Sequence, residues 1–249
     1  MNNVYIYDGD FYSLLCLIYK LIKINTKVNN IKKESDFIPD LFSNPVKLNL
    51  NDKKKNINLL EKNSSKKVLD FSYIVFLSSY RDKELVIYYF IKNSIKYKNE
   101  IFFHRELDSV NIALKLSQNV SREAHKIKGF LRFKKMKNNF YYAEINPTNN
   151  VLKIISNHFR ARLKKEYFII KDVNRNIYAL YDLKKIIYLK EENIKKINLD
   201  LSIDELNMEN LWKSFYKTIG IKERENKKCR MNFMPKKYWK YILEMEEEL

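Results

Sequence analysis

The stretch FLRFKKMKNNFYYAEINPTNNVLKIISNHFRARLKKEYFIIKDVNRNIYALY, residues 130–181, decides the predicted fold. Short apolar or aromatic runs occupy residues 130–135, 140–145, 167–171 and 177–181. Turn-forming Asn residues separate the first two runs and also the last two, a pattern that is typical of β-hairpins. We therefore predict four strands here, paired mainly antiparallel.

A helix is predicted between the two hairpins. Residues 151–163 carry Leu152, Ile155 and Phe159 at helical spacing. Residues 186–189 are a candidate fifth strand. Hairpins with helices segregated around them indicate an α+β fold, in which a small, mainly antiparallel sheet has flanking helices.

The N-terminal half is predicted to be mainly helical and to pack on that sheet. A short strand, residues 4–7, precedes Asp10, which can cap a following helix. Residues 23–70 are polar and weakly patterned. The predicted elements of this half are helices at 11–22 and 107–126, two helices within 70–97 broken near 78–82, a strand at 46–50 and a short helix at 57–61.

Two further helices are predicted towards the C-terminus. One covers residues 206–219, and the last begins at Pro235. No linker rich in Pro, Gly or Ser interrupts the chain. We predict a single compact domain over residues 1–249, with a sub-boundary near 100–126 as the alternative.

Composition excludes several classes of protein. Hydrophobic residues make up 45% of the 249 residues, which is too many for a disordered chain. Two cysteines cannot form a disulfide framework or a four-cysteine metal site, and three glycines cannot build a Gly-rich phosphate loop. We predict no cofactor, no metal site, no membrane contact and a cytoplasmic, nucleoid-associated location.

The net charge of +18 favours a polyanionic partner, above all nucleic acid. Most of the cations are Lys, in a chain that is also rich in Asn and Ile. The alternative explanation is therefore that many of these lysines only cover the solvent-exposed surface and bind no partner. Two stretches concentrate the positive charge, residues 121–137 and 213–240, and aromatic residues interleave with both. Proteins that bind single-stranded nucleic acid typically combine cations that contact phosphates with aromatic rings that stack on bases. A protein-interaction module that meets acidic partners is a further alternative.

Four residues are candidates for acid–base chemistry: His125, His158, Glu123 and Asp172. His158 and Arg162 lie four residues apart on a predicted helix and therefore share a face. A half-buried histidine and a carboxylate that closes a turn are the alternative interpretations for His158 and Asp172.

Three separated blocks of the sequence resemble one bacterial family: YDGDFYSLLCLIY (7–19), residues 122–182 and residues 211–244. That family is associated with DNA repair or DNA metabolism, is typically encoded beside a radical-SAM protein, and has a similar domain fused in places to a uracil-DNA glycosylase-like domain. The positions that carry the resemblance are Asp8, Gly9, Phe11, Arg122, Glu123, His125, Phe130, Arg132, Phe133, Pro147, His158, Phe159, Arg162, Asp172, Arg175, Trp212, Arg224, Asn226, Met234, Pro235, Tyr238 and Trp239.

The resemblance implies a DNA-binding accessory that holds single-stranded or damaged DNA for a radical-SAM repair or modification enzyme. The alternative is an enzyme acting on DNA, such as a base glycosylase or hydrolase that uses a pocket of His and carboxylate groups. The predicted nucleic-acid contacts are Arg122, Lys126, Arg132, Arg162, Arg175, Arg224, Lys228, Arg230 and Trp239.

Overall fold

The computed structural model describes residues 2–39, 43–194 and 197–248. The chain divides into two compact units, Met1–Ser121 and Arg122–Leu249, and the division falls inside one long helix. Helices and sheets are mixed, so the α+β prediction is confirmed. Within the described residues, no helix has the length and apolar character needed to cross a membrane.

The first unit combines helices with a small parallel sheet. In its described part, three strands pair in the order β2-β1-β3, and both pairings are parallel. The elements are β1 (Asn2–Tyr7), α1 (Phe11–Ile24), β2 (Asn30–Lys33), β3 (Ser43–Lys47), α2 (Lys53–Asn63), α3 (Lys66–Phe76), α4 (Lys83–Tyr97) and the start of α5 (Asp108–Phe130).

Helix α1 follows from local signals in the sequence. The side chain of Asp10 accepts a hydrogen bond from the backbone N–H of Ser13 at 3.0 Å and so caps the helix. Leu14, Ile18 and Leu21 recur at helical spacing and are completely buried. The central strand and this helix therefore contribute to the core of the first unit, together with residues of α3, α4 and α5.

The second unit is built on a mixed sheet. In its described part, five strands pair in the order β4-β5-β6-β7-β8, and the β5–β6 pair is parallel while the other pairs are antiparallel. The elements are β4 (Lys134–Lys135), β5 (Tyr141–Ile145), α6 (Leu152–Arg162), β6 (Phe168–Asp172), β7 (Ile177–Tyr181), β8 (Ile186–Lys190), α7 (Ile203–Ile219) and α8 (Lys227–Phe233). Helix α6 is the crossover that a parallel pair of strands requires.

The strand predicted over residues 130–135 is mostly wrong. Helix α5 continues to Phe130, and the strand is limited to Lys134–Lys135. Ile127 is buried and the Phe130 ring lies 5.7 Å from that of Tyr238, so an apolar face continues past the predicted end of the helix. A Cβ atom at Gly129 would meet nothing within 4 Å, and this glycine is simply an exposed helical position.

The helix predicted from Pro235 is present, but as 3-10 helix rather than as an α-helix. Two 3-10 helices, Lys236–Tyr241 and Leu243–Glu248, cover this stretch. Trp239, Ile242 and Met245 are buried at a spacing of three residues. That spacing matches the three-residue turn of a 3-10 helix better than the 3.6-residue turn of an α-helix.

Candidate nucleic-acid interface

Glu123 anchors a loop of the second unit. Residues 146–150 (NPTNN) connect β5 to α6, and the buried Glu123 carboxylate accepts hydrogen bonds from the backbone N–H groups of Thr148 and Asn149 at 2.9 and 2.8 Å. The side-chain amide of Asn149 donates a third bond at 2.7 Å. Lys237 Nζ adds a 2.8 Å ion pair and the Tyr238 hydroxyl donates at 3.3 Å.

These donors decide the protonation state of Glu123. Burial raises the pKa of its carboxyl, but the Lys237 ammonium and the N–H groups of Asn149 and Thr148 together lower it by more. The pKa therefore lies below the ordinary value for Glu. An ionised carboxylate whose two oxygens are both engaged by donors is suited to holding a loop in place.

Arg175 holds the same loop from the other side. Its guanidinium donates to the carbonyl oxygens of Pro147 at 3.1 Å and Thr148 at 2.5 Å, and to the Asp172 carboxylate at 3.1 Å. Asp172 is 0% exposed, and burial raises its pKa by more than Arg175 lowers it. The planar fork of Arg175 is therefore used within the unit, and its role as a nucleic-acid contact remains a prediction.

The four candidates for acid–base chemistry differ in burial and in hydrogen-bond partners. Glu123 and Asp172 are buried on separate sets of donors, His125 is exposed, and His158 is half-buried. Over residues 2–39, 43–194 and 197–248, no hydrogen bond or ion pair joins any two of the four. The same described residues contain no group of three or more His, Cys, Asp or Glu side chains that could hold a metal ion.

His158 lies among positive charges on α6 and the end of α5. Partial burial, Lys128 and Arg162 all lower the pKa of its imidazole. The ring packs edge-on against Phe159 at 5.1 Å. His158 is therefore neutral at pH 7 and lies beside two cations, an arrangement that attracts an anion.

Five of the predicted contacts retain cationic groups at the surface. Arg122, Arg162, Arg224 and Lys228 are exposed and Lys126 is half-buried. In the parts of the chain that the structure describes, none of the five has an acidic partner within ion-pair distance. These side chains are available for phosphates.

Three other predicted contacts are engaged within the unit. Arg132 pairs with Glu244 at 3.3 Å and its guanidinium lies 5.0 Å from the centre of the Trp212 ring. Arg230 is half-buried and lies 5.7 Å from the centre of the Trp239 ring. Trp239 itself is only 3% exposed and its indole N–H donates to the Met234 carbonyl at 2.8 Å, so its ring is packed within the unit, and its role as a nucleic-acid contact remains a prediction.

A basic cleft of about 720 Å³ opens beside α7 and α8. Among the described residues of its lining are four cations and two carboxylates, Glu225 and Glu244. Glu244 is already bound by Arg132 and by the indole N–H of Trp212, at 3.3 and 2.9 Å, so its charge is largely compensated. The cationic lining residues are Lys213, Lys217, Arg224 and Arg230.

Lys213, Tyr216 and Lys217 line this cleft but were not among the predicted site residues. Lys213 and Lys217 are four residues apart on the predicted helix 206–219, so they share one helical face. Tyr216, three residues after Lys213, belongs to the same face. Their helical spacing is the feature of the sequence from which these lining residues could have been predicted.

Comparison with known proteins identifies a family. The model of the family DUF4130, a domain of unknown function, matches residues 81–244, and no curated protein matches the chain. The matched stretch contains all the cleft residues named above and both buried carboxylates. It does not reach the opening motif around Asp8.

Proposed function

The chain belongs to the DUF4130 family, whose function is unknown. We propose that it binds single-stranded nucleic acid through the cleft beside α7 and α8. The observation that carries the proposal is the charge of that cleft. Lys213, Lys217, Arg224 and Arg230 face two carboxylates there, one of which is already engaged by Arg132.

The chemistry of the lining suits a phosphate backbone. Arg224 is exposed and presents a planar guanidinium that can bind a phosphate through two parallel hydrogen bonds. Lys228 does not line the cleft itself, but it is exposed on α8 next to the lining residue Cys229, and its ammonium acts as a point charge for a neighbouring phosphate. Tyr216 adds an aromatic ring to the lining, which is a platform for an unpaired base.

A second group of cations supports the same function. Lys128 and Arg162 both act on the imidazole of His158, so the three side chains lie close enough to interact electrostatically. Arg122 and Lys126 add positive charge on the end of α5. These groups supply further phosphate contacts within the second unit.

DNA as the natural ligand, a role in repair, and a radical-SAM enzyme as partner are the finer parts of the proposal. They derive from the family resemblance of the three sequence blocks. The charge of the cleft is compatible with them, and a binding assay against DNA and RNA single strands and duplex DNA separates the alternatives.

The test is fluorescence anisotropy with a labelled oligonucleotide of about 20 nucleotides over a range of salt concentrations. Binding is expected to weaken steeply with salt, with a log–log slope that grows by about 0.7 for each phosphate neutralised on a single strand. The Arg224→Gln/Lys228→Gln double variant is expected to lose roughly tenfold or more in affinity and to lower the slope by about 1.4.

The matched control is Lys54→Gln/Lys55→Gln. It removes the same charge from exposed positions of α2, outside the residues that the family model matches. Its affinity and salt slope are expected to stay within about twofold of the parent chain. Equal losses in both variants would mean that the net charge alone attracts the oligonucleotide and would contradict the proposal.

A further inference from the structure

A pocket of about 340 Å³ opens beside strand β5 of the second unit. Residues of β4, β5 and the 3-10 helix Lys236–Tyr241 line it, and of the predicted nucleic-acid contacts it includes Arg132. Part of the lining is apolar and buried: Met136, Tyr142 and Ala143 are 2%, 7% and 3% exposed. A pocket of this size that combines apolar walls with a few polar groups is suited to the ring system of a small ligand.

Glu144 supplies this pocket with a carboxylate. It lies two residues after Tyr142 on β5, hence on the same face of the sheet, and its Oε1 accepts a hydrogen bond from the Tyr142 hydroxyl at 2.7 Å. Among the residues that the structure describes, no Lys or Arg lies within ion-pair distance of Glu144. Because a carboxylate can accept about four hydrogen bonds, Glu144 can take further N–H donors from a ligand.

Tyr241 also lines the pocket, and its hydroxyl oxygen is buried. This hydroxyl has no hydrogen-bond partner within residues 2–39, 43–194 and 197–248. A buried hydroxyl without a partner costs free energy relative to one that is hydrated, and a ligand that brings an acceptor removes that cost. The lining therefore combines a carboxylate that accepts N–H groups with a hydroxyl that can donate.

We propose that this pocket binds a guanine base of the single strand, an inference that rests on the proposed function. Guanine presents two adjacent donors, N1–H and N2–H, which match the two oxygens of Glu144, and its acceptors O6 and N7 can take the proton of the Tyr241 hydroxyl. The amino groups of adenine and cytosine lie beside a ring nitrogen with a lone pair, and the N3–H of thymine lies between two carbonyl oxygens. Each of these three bases would therefore set an acceptor against the carboxylate.

The pocket adjoins the basic cleft beside α7 and α8. Leu243 lines both, and Arg132 of the pocket pairs with Glu244 of the cleft at 3.3 Å. A strand whose phosphates follow the cleft can therefore place one of its bases in the pocket. Phosphate contacts in the cleft position the strand, and the pocket reads the base.

Lys240 is the lining cation that remains for the phosphate of the bound nucleotide. Arg132 and Lys134 also line the pocket, but Arg132 is paired with Glu244 and Lys134 with Glu209, at 3.3 and 2.9 Å. Lys240 is exposed, and in the described part of the chain no acidic side chain lies within ion-pair distance of it. Its ammonium is available as a point charge for a phosphate.

The first test compares a labelled strand of about 20 thymidines with the same strand carrying one central guanine, by fluorescence anisotropy with the full chain. The guanine strand is expected to bind at least about fivefold more tightly. Hypoxanthine in place of guanine keeps N1–H and O6 but lacks the amino group at C2, and it is expected to lose most of this gain. A central adenine or cytosine is expected to give no gain.

The second test assigns the preference to named side chains. Glu144→Gln places an amide NH₂ against the donors of guanine, and the two strands are then expected to bind within about twofold of each other. Tyr241→Phe is expected to reduce the preference without lowering the urea midpoint, because its hydroxyl has no partner to lose. Glu166→Gln is the control: Glu166 is exposed in the same unit, is absent from the lining of pocket and cleft, and should leave the preference intact.

The outcomes separate this inference from the proposed function. Salt-dependent binding of the thymidine strand with no gain from guanine would overturn the guanine pocket and leave the proposed function standing. A thymidine strand and a guanine strand that both fail to bind would overturn both. A preference that survives Glu144→Gln, or one that Glu166→Gln removes equally, would also overturn the inference. If Glu144→Gln does not fold, an unchanged preference in Tyr241→Phe overturns it.

Discussion

Glu123 and Lys237 form a 2.8 Å ion pair across 114 residues of sequence. The pair ties the end of α5 to the 3-10 helix Lys236–Tyr241, and the same carboxylate holds the loop at residues 146–150. The two partners differ in environment: the Glu123 side chain is 8% exposed, whereas that of Lys237 is 44% exposed. The two partners are therefore expected to contribute unequally to the stability of the folded protein.

Glu123→Ala is expected to destabilise the protein by about 3 kcal/mol, because it leaves buried N–H donors of Thr148 and Asn149 without an acceptor. Lys237→Ala is expected to cost only about 1 kcal/mol, because Glu123 keeps its other donors and the ammonium is half exposed. Urea unfolding followed by circular dichroism measures both. Equal losses would contradict the anchoring role of Glu123.

The lowered pKa of Glu123 predicts a dependence of stability on pH. A carboxyl whose folded pKa is depressed contributes stability above its unfolded pKa and loses it as pH falls through the folded pKa. The free energy of unfolding should therefore decrease from about pH 5 downwards, and Glu123→Gln should flatten this decrease. Urea midpoints at a series of pH values give the measurement.

Asp172 serves as the comparison, because its pKa is shifted in the opposite direction to that of Glu123. Its folded pKa is raised by burial, so its contribution is largest at low pH and falls as pH rises from the unfolded pKa to the folded pKa. Asp172→Asn should therefore make the loss of stability at acid pH steeper. If both variants changed the slope in the same direction, the assignment of the two pKa shifts would be wrong.

The sequence correctly predicted those helices and strands that depend on residues close together in the chain. Strand β7 has the predicted bounds, Ile177–Tyr181, because an Asn-rich turn precedes a short, continuous apolar run. The Asp10 cap of α1 follows from one side chain and its near neighbour. The parallel sheet of the first unit was not predicted, since β2 buries only Ile31 and β3 contains Pro45, so neither shows an alternating pattern.

The functional assignments depended on partners that no local pattern specifies. Glu123 is a candidate base by residue type, but its donors come from residues 25 to 115 positions away. Trp239 lies in a basic stretch, yet burial at a three-residue spacing removes it from the surface. The basic cleft was partly predictable, because Lys213 and Lys217 share a helical face, but the contribution of α8 depends on how the chain returns after Gly220.

Arg162→Gln is expected to raise the pKa of His158 towards its ordinary value, because one of two neighbouring positive charges is removed. Titration of the imidazole followed by nuclear magnetic resonance measures the shift. Arg160→Gln is the control: Arg160 is exposed on the same helix and is not among the groups that act on His158. An equal shift in both variants would indicate a general charge effect and contradict the local cation group.

Arg175→Lys is expected to loosen the loop at residues 146–150 while leaving nucleic-acid affinity within about twofold. Lysine keeps the positive charge but cannot reproduce the planar fork that binds the carbonyls of Pro147 and Thr148 together with Asp172. The expected cost is about 1–2 kcal/mol of stability, with faster hydrogen exchange at the backbone amides of Thr148 and Asn149. A variant that kept its stability but lost oligonucleotide binding would return Arg175 to the nucleic-acid interface and contradict its role as a loop anchor.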